Sequence, residues 1–412
     1  MKNIIQLSNS ESNSETERET EDVLKRNVSA MLINYEKIKH NTNTKLTNIS
    51  KVLDLLNTKL NTFYNLNYKI TSTKLNNIQK FSNWGPNMFL DERIFNYIET
   101  QPSTTTKYTL SEPLFNRYVC TIYVTDFTQA IGTQALGTQA SGTQALGVRN
   151  AGTQALSTQA LSTQALSTQA LSTQALSTQA LITQLFSWFY ILIDTIDNYK
   201  NPLFPIFPIN VYIYNTPFKK HLPSDPNKII GPYEVNSGFT QNSPTVGGRE
   251  IVLFRKEECL KVFIHETFHC FNLESNDKFK IKTNLNVKLE SNILKHVNLF
   301  TNSSSTNESY NETWAVIIYC FYKSNSNTIF YELLNEKCKQ TMINTNKILN
   351  YNNNNPPYKE NTSVYAYYIL TSKLLCNYKL FMEWCIKHNI GLFKFNRGEW
   401  ESYYNIFESV LL

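Results

Sequence analysis

The sequence predicts an α+β protein in which a mixed sheet packs on one short buried helix, with helical segments before and after it. Three observations lead there. Runs of β-branched and aromatic residues at Tyr118 to Thr125, Ile209 to Tyr214 and Glu250 to Phe254 read as buried strands. The last of these leads directly into a segment without Pro or Gly, about Glu257 to Leu273, where Leu260, Ile264, Phe268 and Phe271 recur at i, i+4, i+8 and i+11. Outside this region, apolar residues return three and four apart, the spacing of helices that bury one face.

In chain order, residues 1–20 are rich in Ser, Asn and Glu and hold too few apolar side chains to offset the entropy of ordering, so a disordered tail is expected. From Asp22 to Phe81, Leu24, Val28 and Met31 and then Val52, Leu55, Leu56 and Leu60 read as two or more helices parted near 40–44, which makes 21–100 a helical or coiled-coil N-terminal region. Residues 101–273 form the sheet-containing region. A Thr-Gln-Ala-Leu-Ser/Gly repeat interrupts it at 128–184. A five-residue period advances ~500° around a helix, so successive leucines drift by ~140° and no apolar stripe forms. On a strand an odd period throws alternate leucines to opposite faces. The repeat is therefore expected to be a low-complexity insertion. With it set aside, strand 118–125, a helix from about Leu185 to Tyr199 and strand 209–214 follow in β-α-β order. Residues 274–412 read as a helical C-terminal subdomain, with a helix at 285–299 and an Asn-rich spacer at 350–357.

Composition narrows the function classes. Net charge is +6, from 39 Lys+Arg against 33 Asp+Glu, without the dense basic block of a nucleic-acid footprint. Seven widely spaced cysteines without a C-x-x-C argue for a reducing compartment and against a disulfide framework or a cysteine-only zinc site. The N-terminus lacks the apolar run of a signal peptide, and the apolar stretch Leu185 to Ile196 is too short to cross a bilayer. The expectation is a soluble intracellular protein with neither nucleic-acid nor membrane partners.

The chemistry concentrates at His265-Glu266-Thr267-Phe268-His269. Two histidines four apart project from one helical face, about 100° from the apolar stripe. They supply half of a tetrahedral zinc site. Glu266 adjoins the first of them, placed to take a proton from an attacking water whose pKa a zinc ion lowers toward ~7. A catalytic site needs a third protein ligand. Continuation with Gly at 272 and His at 275 is excluded, because the chain has Asn272 and Ser275. Asp277 is one option, in a polar, turning stretch. Glu312 in Asn311-Glu312-Thr313-Trp314-Ala315 is the stronger one: Ser309 and Glu312 read as the start of a helix too apolar to lie on a surface, where a carboxylate needs a partner.

His-Glu-x-x-His followed by Asn-Glu-x-x-Ala resembles the gluzincin class of zinc metallopeptidases. The Asn-rich composition with a repeat expansion is similar to that of uncharacterised metalloproteases of giant DNA viruses. The resemblance covers about 205 to 320, and only its two short motifs are specific. It implies a zincin-like fold, one zinc ion held by His265, His269 and Glu312, Glu266 as general base, and a peptide or protein substrate bound along an edge strand, for which 235–240 is the candidate. The 42 residues between His269 and Glu312 are about twice the usual gap of that class. Such enzymes also need a donor for the developing oxyanion. Tyr365, Tyr367 and Tyr368 lie on an expected helix beyond Glu312, with Tyr365 and Tyr368 on one face and Tyr368 the first candidate. His296 reads as a helix-surface histidine, and His221 and His388 as loop residues. The competing expectation is a structural or interaction protein, virion-associated, that retains the fold without turnover.

Overall fold

The computed structural model describes residues 46–75, 89–111, 119–127, 178–196, 208–223, 225, 228–242, 248–274, 306–353, 361–399, 402, 403, 405 and 406. The N-terminal tail, most of the repeat, Asp277, the helix expected at 285–299 and His296 lie outside them. Two compact units divide the chain: a sheet unit, Lys59–His221 with Pro232–Phe271, and a helical unit, Met1–Thr58 with Leu222–Gly231 and Asn272–Leu412.

The sheet unit contains six strands: β1 (Lys69–Leu75), β2 (Ser103–Ser111), β3 (Cys120–Phe127), β4 (Ile209–Tyr214), β5 (Gly238–Asn242) and β6 (Arg249–Leu253). Their order is β1-β2-β3-β4-β6-β5. β1, β2 and β3 pair antiparallel, β3, β4 and β6 parallel, and β5 antiparallel to β6 at the sheet edge. The α+β class with a mixed sheet is thus as the sequence predicts. The parallel step from β3 to β4 requires a crossover, and helix Thr178–Ile196 (α3) supplies it.

α3 begins seven residues before the helix expected at 185, because the last repeat residues are helical too. It is long and apolar enough to cross a membrane by length and composition, yet 67% of its apolar window is buried. Within the unit, Trp188 stacks on Phe268, Phe189 packs against Phe271, and Lys59 pairs with Asp194. These contacts are those of a core helix, buried on every side from Leu185 to Ile193. On the other sheet face, helix Glu92–Thr100 (α2) buries Ile94 and Ile98 with Tyr214, Phe239, Val252 and Phe254. Asp91 caps α2 by accepting from the Arg93 N–H.

β1 corrects the helical expectation for 22–81. Lys-Ile-Thr-Ser-Thr-Lys-Leu has no apolar stripe of either period and is largely exposed. Its seven-residue register with β2 and the Thr71–Thr109 hydroxyl contact of 2.7 Å make it a strand, and pairing of that kind leaves no local trace. The preceding segment is helical as expected, from Leu46 to Asn65 (α1), and buries Val52, Leu53, Leu56 and Phe63.

In the helical unit, α5 (Thr306–Lys323), α6 (Asn327–Asn353), α7 (Thr371–Cys376) and α8 (Tyr378–His388) account for the expected helical C-terminal part; α4 is the motif helix described below. Tyr310 donates to the Phe393 carbonyl (2.8 Å) and accepts from Asn389 (2.7 Å), while Trp314 meets Phe381 and Phe393 edge-on. Much of the Phe and Tyr content is spent on such aromatic cores. Two expectations fail here. Cys338 and Cys376 form a disulfide between α6 and α7, although wide cysteine spacing suggested none. His388 is the last residue of α8, its Nδ1 2.7 Å from a Glu399 carboxylate oxygen and its ring stacked on Trp384, instead of a loop residue.

Candidate metal centre

The motif occupies α4, Cys259–Cys270, which follows one 3-10 turn after β6. Leu260, Ile264, Phe268 and Phe271 are all at most 4% exposed, so the expected stripe is the buried face. The helix is held far more extensively than a stripe alone requires. Thr267 is fully buried in mid-helix; its hydroxyl donates to the Ile264 carbonyl (2.6 Å) and accepts from the Trp188 indole (2.9 Å). At the N-terminus, the Glu258 carboxylate complements the helix dipole and accepts from Ser237, Lys220 and Lys261. At the C-terminus, Arg249 of β6 donates to the carbonyls of His269 (3.0 Å) and Cys270, in the last turn, where a helix runs out of its own donors. Asn272 takes φ 49°, the left-handed residue that commonly stops a helix.

His265 and His269 face each other as predicted, their Nε2 atoms 3.1 Å apart and their rings inclined by 61°. Two nitrogens at ~2.0–2.1 Å from one tetrahedral ion are ~3.3 Å apart, so the pair fits a zinc bite with only a small closing of the angle. His265 is 4% exposed and Glu266 5%. Glu266 Oε2 accepts from the hydroxyl of Thr240, on edge strand β5, at 2.8 Å. Sequence reasoning placed an edge strand at 235–240, and it runs from Gly238 to Asn242.

The remaining candidates belong to the helical unit. Glu312 lies in the second turn of α5, which starts at Thr306 and so one turn earlier than the Ser309 start expected. Glu312 therefore does not cap its helix. Glu308, which the sequence reading passed over, is one turn before it and shares its side of the helix. Both are partly buried. Asn311, between them, is fully buried and donates to Glu274.

Tyr368 lies in a single π-turn, Ala366–Leu370. The Thr371 N–H reaches back five residues to the Ala366 carbonyl there, so the spacing that put Tyr365 and Tyr368 on one α-helical face does not apply. Tyr365 is buried and Tyr368 partly exposed. His221 is in a loop as expected, edge-on to Tyr233.

No family model, curated protein or solved structure matches the chain.

Proposed function

We propose that the protein is a zinc-dependent metallopeptidase of zincin-like architecture. The observation that carries this reading is the pair of facing Nε2 atoms on a buried helix, with a buried carboxylate between the two histidines in sequence. His265 and His269 are taken as two ligands of one zinc ion and Glu312 of α5 as the third, with Glu308, one turn before it, as the alternative carboxylate. A zinc ion bound there supplies Lewis acidity toward water and the scissile carbonyl. Glu266 takes the proton of the attacking water and passes it to the leaving amine. Tyr368 donates to the oxyanion. The substrate peptide extends β5, whose outer edge pairs with no strand among the described residues.

The test is digestion of a peptide library by the zinc-loaded protein, with a chelator control and restoration by zinc. Turnover that disappears with chelator and returns with metal is expected, together with its loss in Glu266→Gln at unchanged zinc content. A wild-type protein that binds zinc and cleaves nothing contradicts the proposal and favours an inactive scaffold. Zinc occupancy of Glu308→Gln against Glu312→Gln decides which carboxylate is the ligand: occupancy drops sharply in one and holds in the other.

A further inference from the structure

Resting on that reading, we infer that Thr240 is the positioning residue for the base: its hydroxyl fixes the Glu266 carboxylate and ties the motif helix to the strand along which substrate would bind. Gly238, Thr240 and Asn242 alternate onto the face of β5 that the motif helix covers. At Gly238 that contact is so close that a Cβ would lie 2.8 Å from Val262 Cγ1, on α4. No other residue type permits this approach. Two residues along, the same approach brings Thr240 Oγ1 within 2.8 Å of Glu266 Oε2 and 3.0 Å of the Glu266 carbonyl.

A hydroxyl has one proton to give. The nearer, charged oxygen is the stronger acceptor. A carboxylate 5% exposed, on a short side chain of several rotamers, gains from that bond a fixed orientation beside His265. Because Thr240 belongs to the edge strand, displacement of β5 by a poorly seated peptide would also displace the base. Glu266 would then be set correctly only when the strand is.

The experiment compares Thr240→Val with Thr240→Ser in the full-length, zinc-loaded protein, using the internally quenched peptide that wild type cleaves fastest. Valine keeps the shape and suits a strand but removes the donor. The expected result is a kcat about 10- to 100-fold lower, the loss of one hydrogen bond to a charged group. KM should stay within about twofold, since the hydroxyl acts on the base and not on bound peptide. Serine should restore kcat to within about threefold. A Val variant with wild-type kcat, or a Ser variant as poor as Val, overturns the inference.

A second readout needs no turnover. In metal-free protein, the fall in urea midpoint caused by Thr240→Val should shrink by at least half when Glu266 is already Ala. An equal fall in both backgrounds means that the hydroxyl does not act through the carboxylate, and overturns the inference as well. Wild type without any turnover overturns the peptidase reading and this role with it. Should the coupling in urea survive there, the failure belongs to the peptidase reading and not to the contact.

Discussion

Replacing Gly238 by alanine tests how closely the motif helix must sit on the edge strand. The new Cβ would fall 2.7 Å from the Val252 carbonyl oxygen, 2.8 Å from Val262 Cγ1 and 2.9 Å from Leu253 Cδ2. Real Cβ atoms do not approach so near. The carbonyl belongs to β6, whose pairing with β5 holds it in place, and Leu253 is fully buried. The strain therefore has to be relieved by moving α4 away from β5. Overpacking of this kind costs about 1–3 kcal/mol. Alanine recovers about 0.5–1 kcal/mol over glycine in a strand by restricting the unfolded chain. The net prediction is a loss of about 1–2 kcal/mol. Gly398→Ala is the control, because its Cβ would meet only Asn396 Oδ1, at 3.6 Å. Urea unfolding monitored by fluorescence should give a lower midpoint at unchanged slope for Gly238→Ala, and an unfolding free energy within about 0.5 kcal/mol of wild type for the control. Equal midpoints for the two variants would refute the close-approach argument, and with it the reason Thr240 reaches Glu266.

Arg249→Met removes the donor to the carbonyls of His269 and Cys270 while keeping the length of the side chain. A loss of about 1.5–3 kcal/mol is expected by urea unfolding, toward the lower end where water replaces the guanidinium; a neutral variant would show that the helix end needs no cap. The five free cysteines are all buried, and Cys338 and Cys376 are paired. A thiol reagent at pH 8 should label almost none in native protein, five after unfolding without reductant and seven after unfolding with it. Seven without reductant would contradict the disulfide. Burial pushes Cys259 and Cys320 up to about 12. Their folded pKa exceeds the unfolded value, so the folded state keeps a proton that the unfolded state releases. That contribution to stability is complete below about pH 8.5 and is lost as pH rises toward about 12. Urea midpoints that rise over this range would contradict the sign.

What the sequence revealed about this fold depended on how locally each element is determined. β4 was readable to the residue, because Ile209, Val211 and Ile213 are buried on one face and the run is apolar or aromatic except for Asn210. The stripe of α4 and the facing of His265 and His269 followed from helical spacing alone. β1 escaped notice because its Thr- and Ser-rich residues gain their pairing from β2, 30 to 42 residues away. The start of α3 was hidden by the repeat, whose period gives no helical stripe although its last residues are helical. Site support was invisible for the same reason. Trp188 meets Thr267 across 79 positions, and Thr240 and Arg249 reach Glu266 and His269 from neighbouring strands. A tryptophan in an apolar helix does announce that its N–H needs a partner, yet not which one. Glu308 was passed over because the helix was expected to start at Ser309, which left that carboxylate outside it.

Metal content measured on purified protein tests the central claim most directly. Wild type should carry one zinc per chain by inductively coupled plasma mass spectrometry after extensive dialysis. The folded His265→Ala/His269→Ala variant should carry almost none. A wild type free of zinc even after incubation with a stoichiometric amount, or a double variant that retains it, would contradict the account.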